Sequence, residues 1–327
     1  MVSVIVLTYN HEKYIRQALD SILMQQVDFT YEILVGDDCS TDATPQILLE
    51  YQNKYPELFC VRLRHRNIGA TKNLYELLVS AKGRYLAYLE GDDYWLNNKK
   101  LQKQVSFLLE HGTYIGSSHD CKVVDGKGEE LIGKRYHNED NFWIFFNEQY
   151  TFDDFENWKL PGQIATWVHK NIFFYGTEDF SIVYTAHKMV ADRTLAIILL
   201  QYGEFVHINE RWSCYRIVDD ENGQNWSSIY KYQINNVEDD LRLISNLNEY
   251  SKKIFGKEIY SEKLRRRNVL HAFLNMVKKP SWKSICLFLQ LLFQEQHKLE
   301  CLSFCGKSII IKIIVRVQDY LIRWRKK

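Results

Sequence analysis

The first third of the chain alternates short apolar runs with stretches of helical period. Val2–Leu7 is an apolar run broken only by Ser3, the pattern of a strand covered on both faces. Behind it, Ile15, Ala18, Leu19, Ile22 and Leu23 recur at helical spacing and predict a helix over Glu12–Met24. Tyr31–Val35 predicts a second strand, and the following helix, carrying Ile47, Leu48 and Tyr51, runs to about Tyr55. Phe59–Leu63 is a third strand, Ala70–Ala81 a third helix and Tyr85–Glu90 a fourth strand. Strand–helix alternation with short connections implies a parallel sheet with helices on both sides, joined by right-handed crossovers.

In such sheets ligands bind beyond the carboxyl ends of the strands. Three of these ends are polar: Thr8-Tyr9-Asn10-His11-Glu12, Gly36–Asp42 and Glu90-Gly91-Asp92-Asp93. Each alone reads equally as a helix cap or an acidic turn, and Ser40, Thr41 and Asp42 are good caps. Three on one rim favour a site. Carboxylates crowded around Gly91 repel one another, and a divalent ion such as Mn²⁺ or Mg²⁺ removes that cost. Such an ion is completed by substrate phosphates, so two carboxylates suffice.

Further along, Lys99–Glu110 predicts a helix with Leu101, Val105, Leu108 and Leu109 inward. Tyr114–Ser118 and Lys122–Val124 predict strands, with a turn at Asp125–Gly128. Arg135–Trp158 has no clean period and reads as loop and short helix. Beyond Trp226 four helical patterns remain: Tyr230–Tyr250, Ser261–Lys278, Ser281–Gln296 and Lys307–Arg325. The last sets Ile310, Ile313, Ile314, Val317, Leu321 and Trp324 against Lys312, Arg316 and Arg323. It suits either a membrane surface or packing on the rest of the protein.

Composition changes this picture little. The 327 residues are 46% hydrophobic and 25% charged, ordinary for a globular chain, and the net charge of +1 gives no argument for nucleic acid. The seven cysteines are irregularly spaced and include no CxxC pair. They predict reduced thiols in a cytoplasmic protein and no zinc site. The amino terminus reads as a strand, not a signal peptide, and Ile285–Phe293 is too short to cross a bilayer. No GxGxxG follows the first strand, which disfavours a dinucleotide fold, and no GxxxxGK[ST] occurs.

The segments LTYNHEKYIRQALDSIL, ILVGDDCSTDAT, RNIGATKNL and YLEGDDYW, in this order and spacing, resemble the family 2 inverting glycosyltransferases of GT-A fold. The resemblance covers about Met1–Trp226. It implies a Rossmann-like α/β catalytic domain over residues 1–226, with a mostly parallel sheet flanked by helices and a helical region over 227–327. It also implies a nucleotide-diphosphate sugar donor, a UDP-sugar, and a glycan or lipid-linked acceptor. Asp37 resembles the carboxylate that accepts from the uracil imino N–H. Thr8, Tyr9, Asn10 and Glu12 resemble the loop flanking base and ribose, and Asp38 follows in the same constellation. Asn67, Lys72 and Asn73 fall where the family approaches the nucleotide, with Lys72 in place of the usual Arg. Glu90 replaces the first aspartate of the DxD pattern, Asp92 matches the second and is the expected metal ligand, and Asp93 stands beside it at the metal, directly or through Asp92. Leu160–His169 resembles the acceptor-side segment.

An inverting displacement needs a base to take the acceptor proton. The resemblance points to Asp192, which opens an apolar helix followed by a Gly turn and the pair Tyr215-Arg216. Without it, Asp192 reads as a helix-start aspartate. Glu178-Asp179 is the fallback. One departure stands out: relatives usually carry His two residues after the Tyr-Arg pair, and here that residue is Val218, followed by Asp219, Asp220 and Glu221. The expected setting is cytoplasmic, with peripheral contact to the inner face of the membrane through Lys307–Arg325. A sugar nucleotidyltransferase and a non-catalytic sugar-nucleotide or glycan-binding protein are the alternatives.

Overall fold

A computed structural model of the chain describes residues 1–133, 147–174, 178–218, 236–259, 262–278, 280–295, 298 and 300–307. The alternation read from the sequence is present as β1 (Val2–Thr8), α1 (Ile15–Leu23), β2 (Tyr31–Asp37), α2 (Thr44–Lys54), β3 (Phe59–Leu63), α3 (Ala70–Leu78) and β4 (Tyr85–Glu90). These four strands are parallel, in spatial order β3-β2-β1-β4. Both faces of β1 are covered, which is why its sequence shows no polar alternation. Val2, Val4 and Val6 pack with α1 residues Ile15, Leu19 and Ile22, while Ile5 packs with Leu74, Leu77 and Leu78 of α3 on the other face.

The second half of the sheet is mixed. It contains β5 (Tyr94–Trp95), β6 (Gly116–Val124), β7 (Gln149–Tyr150), β8 (Val168–Lys170) and β9 (Phe205–Arg216). The short β8 lies antiparallel between β4 and β6; β6 and β9 run parallel, and β5 and β7 pair antiparallel with β9. Where two strands were expected between Tyr114 and Val124, one nine-residue strand runs through. The polar step His119–Cys121, which looked like a break, is a pair of register shifts against β9. Helices α4 (Lys100–Glu110), α5 (Phe152–Glu156), α6 (Ile182–Thr185) and α7 (Asp192–Leu200) complete this part. α7 is buried almost throughout, from Thr194 to Leu200.

Among the described residues, helices follow at Asn236–Phe255, Glu262–Lys278 and Trp282–Gln294, with a further helical stretch at 300–307. The first bridges the two parts: Leu243 and Leu247 join the core cluster of α7, while Val237 joins a separate cluster with Val269, Leu270, Phe288 and Leu291. The expected helix Lys307–Arg325 and the residues Asp219–Glu221 lie outside the described residues, apart from Lys307. All seven cysteines are free thiols. Among the described residues no helix is long and apolar enough to cross a membrane.

Candidate functional site

Parallel register sets the rim. Thr8 lies opposite Asp37 and Leu7 opposite Glu90, so the ends of β1, β2 and β4 are neighbours. The loops leaving them are stitched together. Asn10 takes a left-handed backbone (φ 56°), its N–H donates to Ser40 Oγ at 2.8 Å, and its side-chain oxygen accepts from Thr41 N at 2.8 Å. Glu12 N donates to Asp42 at 3.0 Å, and Glu12 Oε2 accepts from Ala43 N at 3.0 Å. His11 N donates to Thr44 Oγ1 at 2.9 Å.

Asp37 is buried and accepts from both the hydroxyl and the N–H of Ser40. Burial pushes its pKa up, and the bonds from Ser40 oppose that. Asp38 has a different occupation: its two oxygens accept from Ile68 N (2.7 Å) and Gly69 N (2.9 Å), tying the loop after β3 to the end of β2. Asn73 is also turned inward, donating to the Gly36 carbonyl and accepting from Arg64. Asn67 is exposed, with its Oδ1 accepting from Gly69 N. Lys72 is exposed, its Nζ 5.9 Å from the centre of the Tyr184 ring. Tyr9 is half-buried beside Thr8.

The three carboxylates after β4 occupy three environments. Asp93 is buried, and both oxygens are taken: Oδ1 accepts from Arg216 N at 2.8 Å and Oδ2 from Gln163 Nε2 at 2.9 Å. Its bonds to Arg216 and Gln163 therefore brace the loop. Glu90 shares the Gln163 amide, at 3.3 Å. Burial, then the neighbouring charges of Asp92 and Asp192, push the Glu90 carboxyl up to about 8. Asp92 alone keeps an available carboxylate, its side chain 16% exposed and His11 Nε2 3.8 Å away. Its main chain is fixed separately, because Arg216 Nε donates to the Asp92 carbonyl at 2.7 Å. The same guanidinium reaches the Asp125 carbonyl and the Gln17 side chain, and lies 4.6 Å from the centre of the Tyr14 ring.

Gly91 is required between these acids. A Cβ there would sit 2.7 Å from His11 Nδ1 and 2.8 Å from Thr8 Oγ1. Those two polar atoms are buried and have no hydrogen-bond partner among the described residues. An available carboxylate beside unpaired buried polar atoms is a donor set that fits a hard cation carrying its own oxygen ligands. No group of three or more His, Cys, Asp or Glu among the described residues forms a complete metal cage.

Asp192 is the first residue of α7 and accepts from Arg193 N at 2.7 Å. Burial pushes its pKa up, against the pull of the Arg193 charge. Together with Glu90, Gln163, Ile164, Ala191 and Tyr215 it lines a cavity of about 140 Å³. Glu178 and Asp179 lie elsewhere: Glu178 accepts from the Tyr202 hydroxyl and Asp179 from Ser181 N. Val218 is half-buried near Gly126. The sequence reading assigned no role to His11, Gln163 or Arg216. Only Arg216 carried a signal, as half of the Tyr-Arg pair.

A sheet with this order and an acidic loop beyond β4 has the GT-A fold of nucleotide-sugar enzymes. A fragment of Staphylococcus aureus TarS in complex with UDP superposes with a TM-score of 0.52 over 95% of this chain and 91% of that one, at 18% identity. The mannosyltransferase PcManGT of Pyrobaculum calidifontis, in complex with GDP-Man and Mn²⁺, gives 0.50 over 95% and 86%, at 16% identity. The profile of "Glycosyl transferase family 2" matches residues 3–168, and the chain belongs to that family. The putative teichuronic acid biosynthesis glycosyltransferase TuaG of Bacillus subtilis is 40% identical over 127 residues, which are 38% of this chain and 49% of TuaG. The match to mycobacterial relatives, 45% identical over 122 residues, spans about a third of their length.

Proposed function

We propose that this chain is an inverting glycosyltransferase that moves a sugar from a UDP-sugar to a hydroxyl of a glycan or lipid-linked acceptor. The observation that carries this reading is one cavity lined by both Glu90 and Asp192, with Glu90 two residues before the partly exposed carboxylate of Asp92. Asp37, at the base of the β1–β2 crevice, accepts from the imino N–H of uracil, and Tyr9 and Thr8 flank the nucleoside. A Mn²⁺ or Mg²⁺ ion held by Asp92 and the donor's diphosphate oxygens would supply Lewis-acid stabilisation of the leaving group. Asp93 and Arg216 hold the Asp92 loop.

Asp192 takes the acceptor proton as the hydroxyl oxygen attacks the anomeric carbon from the face opposite the departing diphosphate. Its raised pKa brings it nearer to the working pH of a general base than a solvated aspartate. Residues 1–226 then form the catalytic unit and 227–327 its helical extension.

The test is calorimetric titration of UDP, GDP, CDP and dTDP, with and without Mn²⁺, on the wild type and Asp92→Ala, followed by a UDP-sugar screen. UDP binding that needs both Mn²⁺ and Asp92, with turnover lost in Asp192→Asn, is expected. Release of pyrophosphate from a nucleoside triphosphate and sugar phosphate would indicate a nucleotidyltransferase. UDP binding with no turnover on any donor would indicate a binding protein. Absence of nucleotide binding under every condition refutes the donor site.

A further inference from the structure

The helix Trp282–Gln294 has two apolar faces. One packs inward through Phe288, Leu291 and Leu292, with Phe288 5.3 Å from Phe273 of the preceding helix. The opposite face carries Trp282, Cys286, Leu289 and Phe293, spaced i, i+4, i+7 and i+11, which places them on one stripe of a helix. Trp282 is 80% exposed and Phe293 66%. Single exposed apolar residues are ordinary, but a stripe headed by tryptophan is not a solvated face. Leu302 and Phe304 are also exposed in the following segment.

Charge indicates what covers the stripe. The last fifty residues, 278–327, hold eleven Lys and Arg against three Asp and Glu, a net of +8, which leaves −7 for residues 1–277. The near-zero total therefore hides a strong division. Lys298 places its ammonium 4.9 Å from the centre of the exposed Phe293 ring, and Lys307 is exposed nearby in sequence. Lys298 beside a Trp- and Phe-bearing apolar stripe, in a stretch of sequence with a net charge of +8, matches an anionic bilayer. The rings enter the headgroup region, the cations meet lipid phosphates, and the acidic remainder is kept off the surface. A second copy meeting the same face would bring two +8 segments together.

We propose that the outer face of the helix Trp282–Gln294 is a docking surface for a membrane rich in anionic phospholipid. This differs from the expectation for Lys307–Arg325, since it rests on a described helix earlier in the chain. It is also independent of the donor site, so either can fail without the other.

The test is co-sedimentation of the full chain with vesicles of phosphatidylcholine alone or mixed three to one with phosphatidylglycerol, at about 0.1 M salt, where charges beyond roughly 10 Å are screened. Binding at least tenfold tighter to the anionic vesicles is expected. Trp282→Ser/Phe293→Ser should weaken it tenfold or more while leaving the melting temperature and UDP binding unchanged. A polarity-sensitive dye on Cys286, with the exposed Cys60 changed to Ser, should shift to the blue on adding anionic vesicles only. Equal vesicle binding by the double variant and the wild type would overturn the proposal. So would binding to soluble polyphosphate but not to vesicles, or a vesicle-free dimer that the double variant abolishes.

Discussion

Adjacent aspartates in the loop after β4 should behave oppositely when removed. Asp93→Ala deletes the acceptor for the Arg216 N–H, held at 2.8 Å, and for one Gln163 N–H, held at 2.9 Å. Both bonds are buried. Losing each acceptor leaves a donor unpaired and costs about 1–3 kcal/mol, and Gln163 keeps a weaker acceptor in Glu90. Against that loss, one buried carboxylate beside two others disappears, and Asp93 is held well above the ordinary carboxylate range by burial, then Asp92, then Glu90. The net expectation is a destabilisation of about 2–4 kcal/mol. Asp92→Ala removes a carboxylate whose one contact is His11 at 3.8 Å, and the loop stays anchored because Arg216 grips the Asp92 carbonyl. It also relieves the repulsion that helps raise Glu90, so stability should be unchanged or slightly higher. With an unfolding entropy near 2.1 cal/mol/K per residue, roughly 0.7 kcal/mol/K for this chain, Asp93→Ala should lower the melting temperature by about 3–6 °C, with Asp92→Ala within about 1 °C of wild type. Calorimetric scans read the first difference and UDP titration with Mn²⁺ the second: Asp92→Ala melts normally and does not bind. Equal melting temperatures for the two variants, or a destabilised Asp92→Ala, would refute the division of labour argued here.

Three further outcomes are expected. Asp192→Asn keeps the oxygen that accepts from Arg193 N, so the protein should fold and bind UDP while turnover in a sugar-transfer assay falls about 10²–10⁴-fold. Lys100 is fully buried over the Trp95 ring with no partner for its Nζ, and burial depresses its pKa; Lys100→Met should therefore stabilise by about 1–3 kcal/mol in urea unfolding. The advantage should shrink as the pH rises toward the ordinary lysine pKa, because above the depressed folded-state pKa the unfolded wild type holds a proton that the folded state sheds. His169 accepts from the Tyr88 hydroxyl, and burial lowers its pKa to about 4. Below its unfolded pKa near 6.5 the unfolded state binds the extra proton, so His169 costs stability progressively from pH 6.5 down to about 4, reaching about 3 kcal/mol. Buried carboxylates with raised pKa, such as Glu90, act in the opposite direction. The His169 contribution is therefore read as the difference between wild type and His169→Gln, whose stability should fall less with acidification.

The parallel half of the fold was legible because it is written in local signals: apolar runs, helical spacing and polar ends, each within about a dozen residues. Helix ends moved by one to three residues, as at Ile15 against an expected Glu12, because the loop Thr8–Glu12 is drawn into bonds with Ser40, Asp42 and Thr44. What the pattern hid were roles assigned by distant partners. Asp38 read as a ligand residue of the rim, yet its oxygens hold backbone N–H groups thirty residues away. Gln163 lies 70 residues from Asp93, and Arg216 lies 123. Neither sits in a periodic run that would announce an inward polar contact. The mixed half was hidden for a similar reason: three residues, Val168–Lys170, are too short to show alternation, and pairing alone makes them a strand.

That short strand is also what makes the site. β4 is the last strand of the parallel half, and its other neighbour is the antiparallel β8. Beyond the end of β4 no parallel strand continues the rim, so the chain entering β8 passes directly over it. The turn Ile164–Thr166, with Gln163 at its head, is that passage. Gln163 Oε1 accepts from Ala165 N and shapes the turn, while its Nε2 points to Glu90 and Asp93. The loop that carries Asp92 is thus held on one side by β1, through Gly91 N to the Leu7 carbonyl at 2.8 Å. On the other side it is held by residues of the mixed half, Gln163 and Arg216. On the reading proposed above, a nucleotide on the parallel rim and an acceptor against α7 would meet at Glu90, where the sheet changes direction and where α/β sheets generally bind ligands.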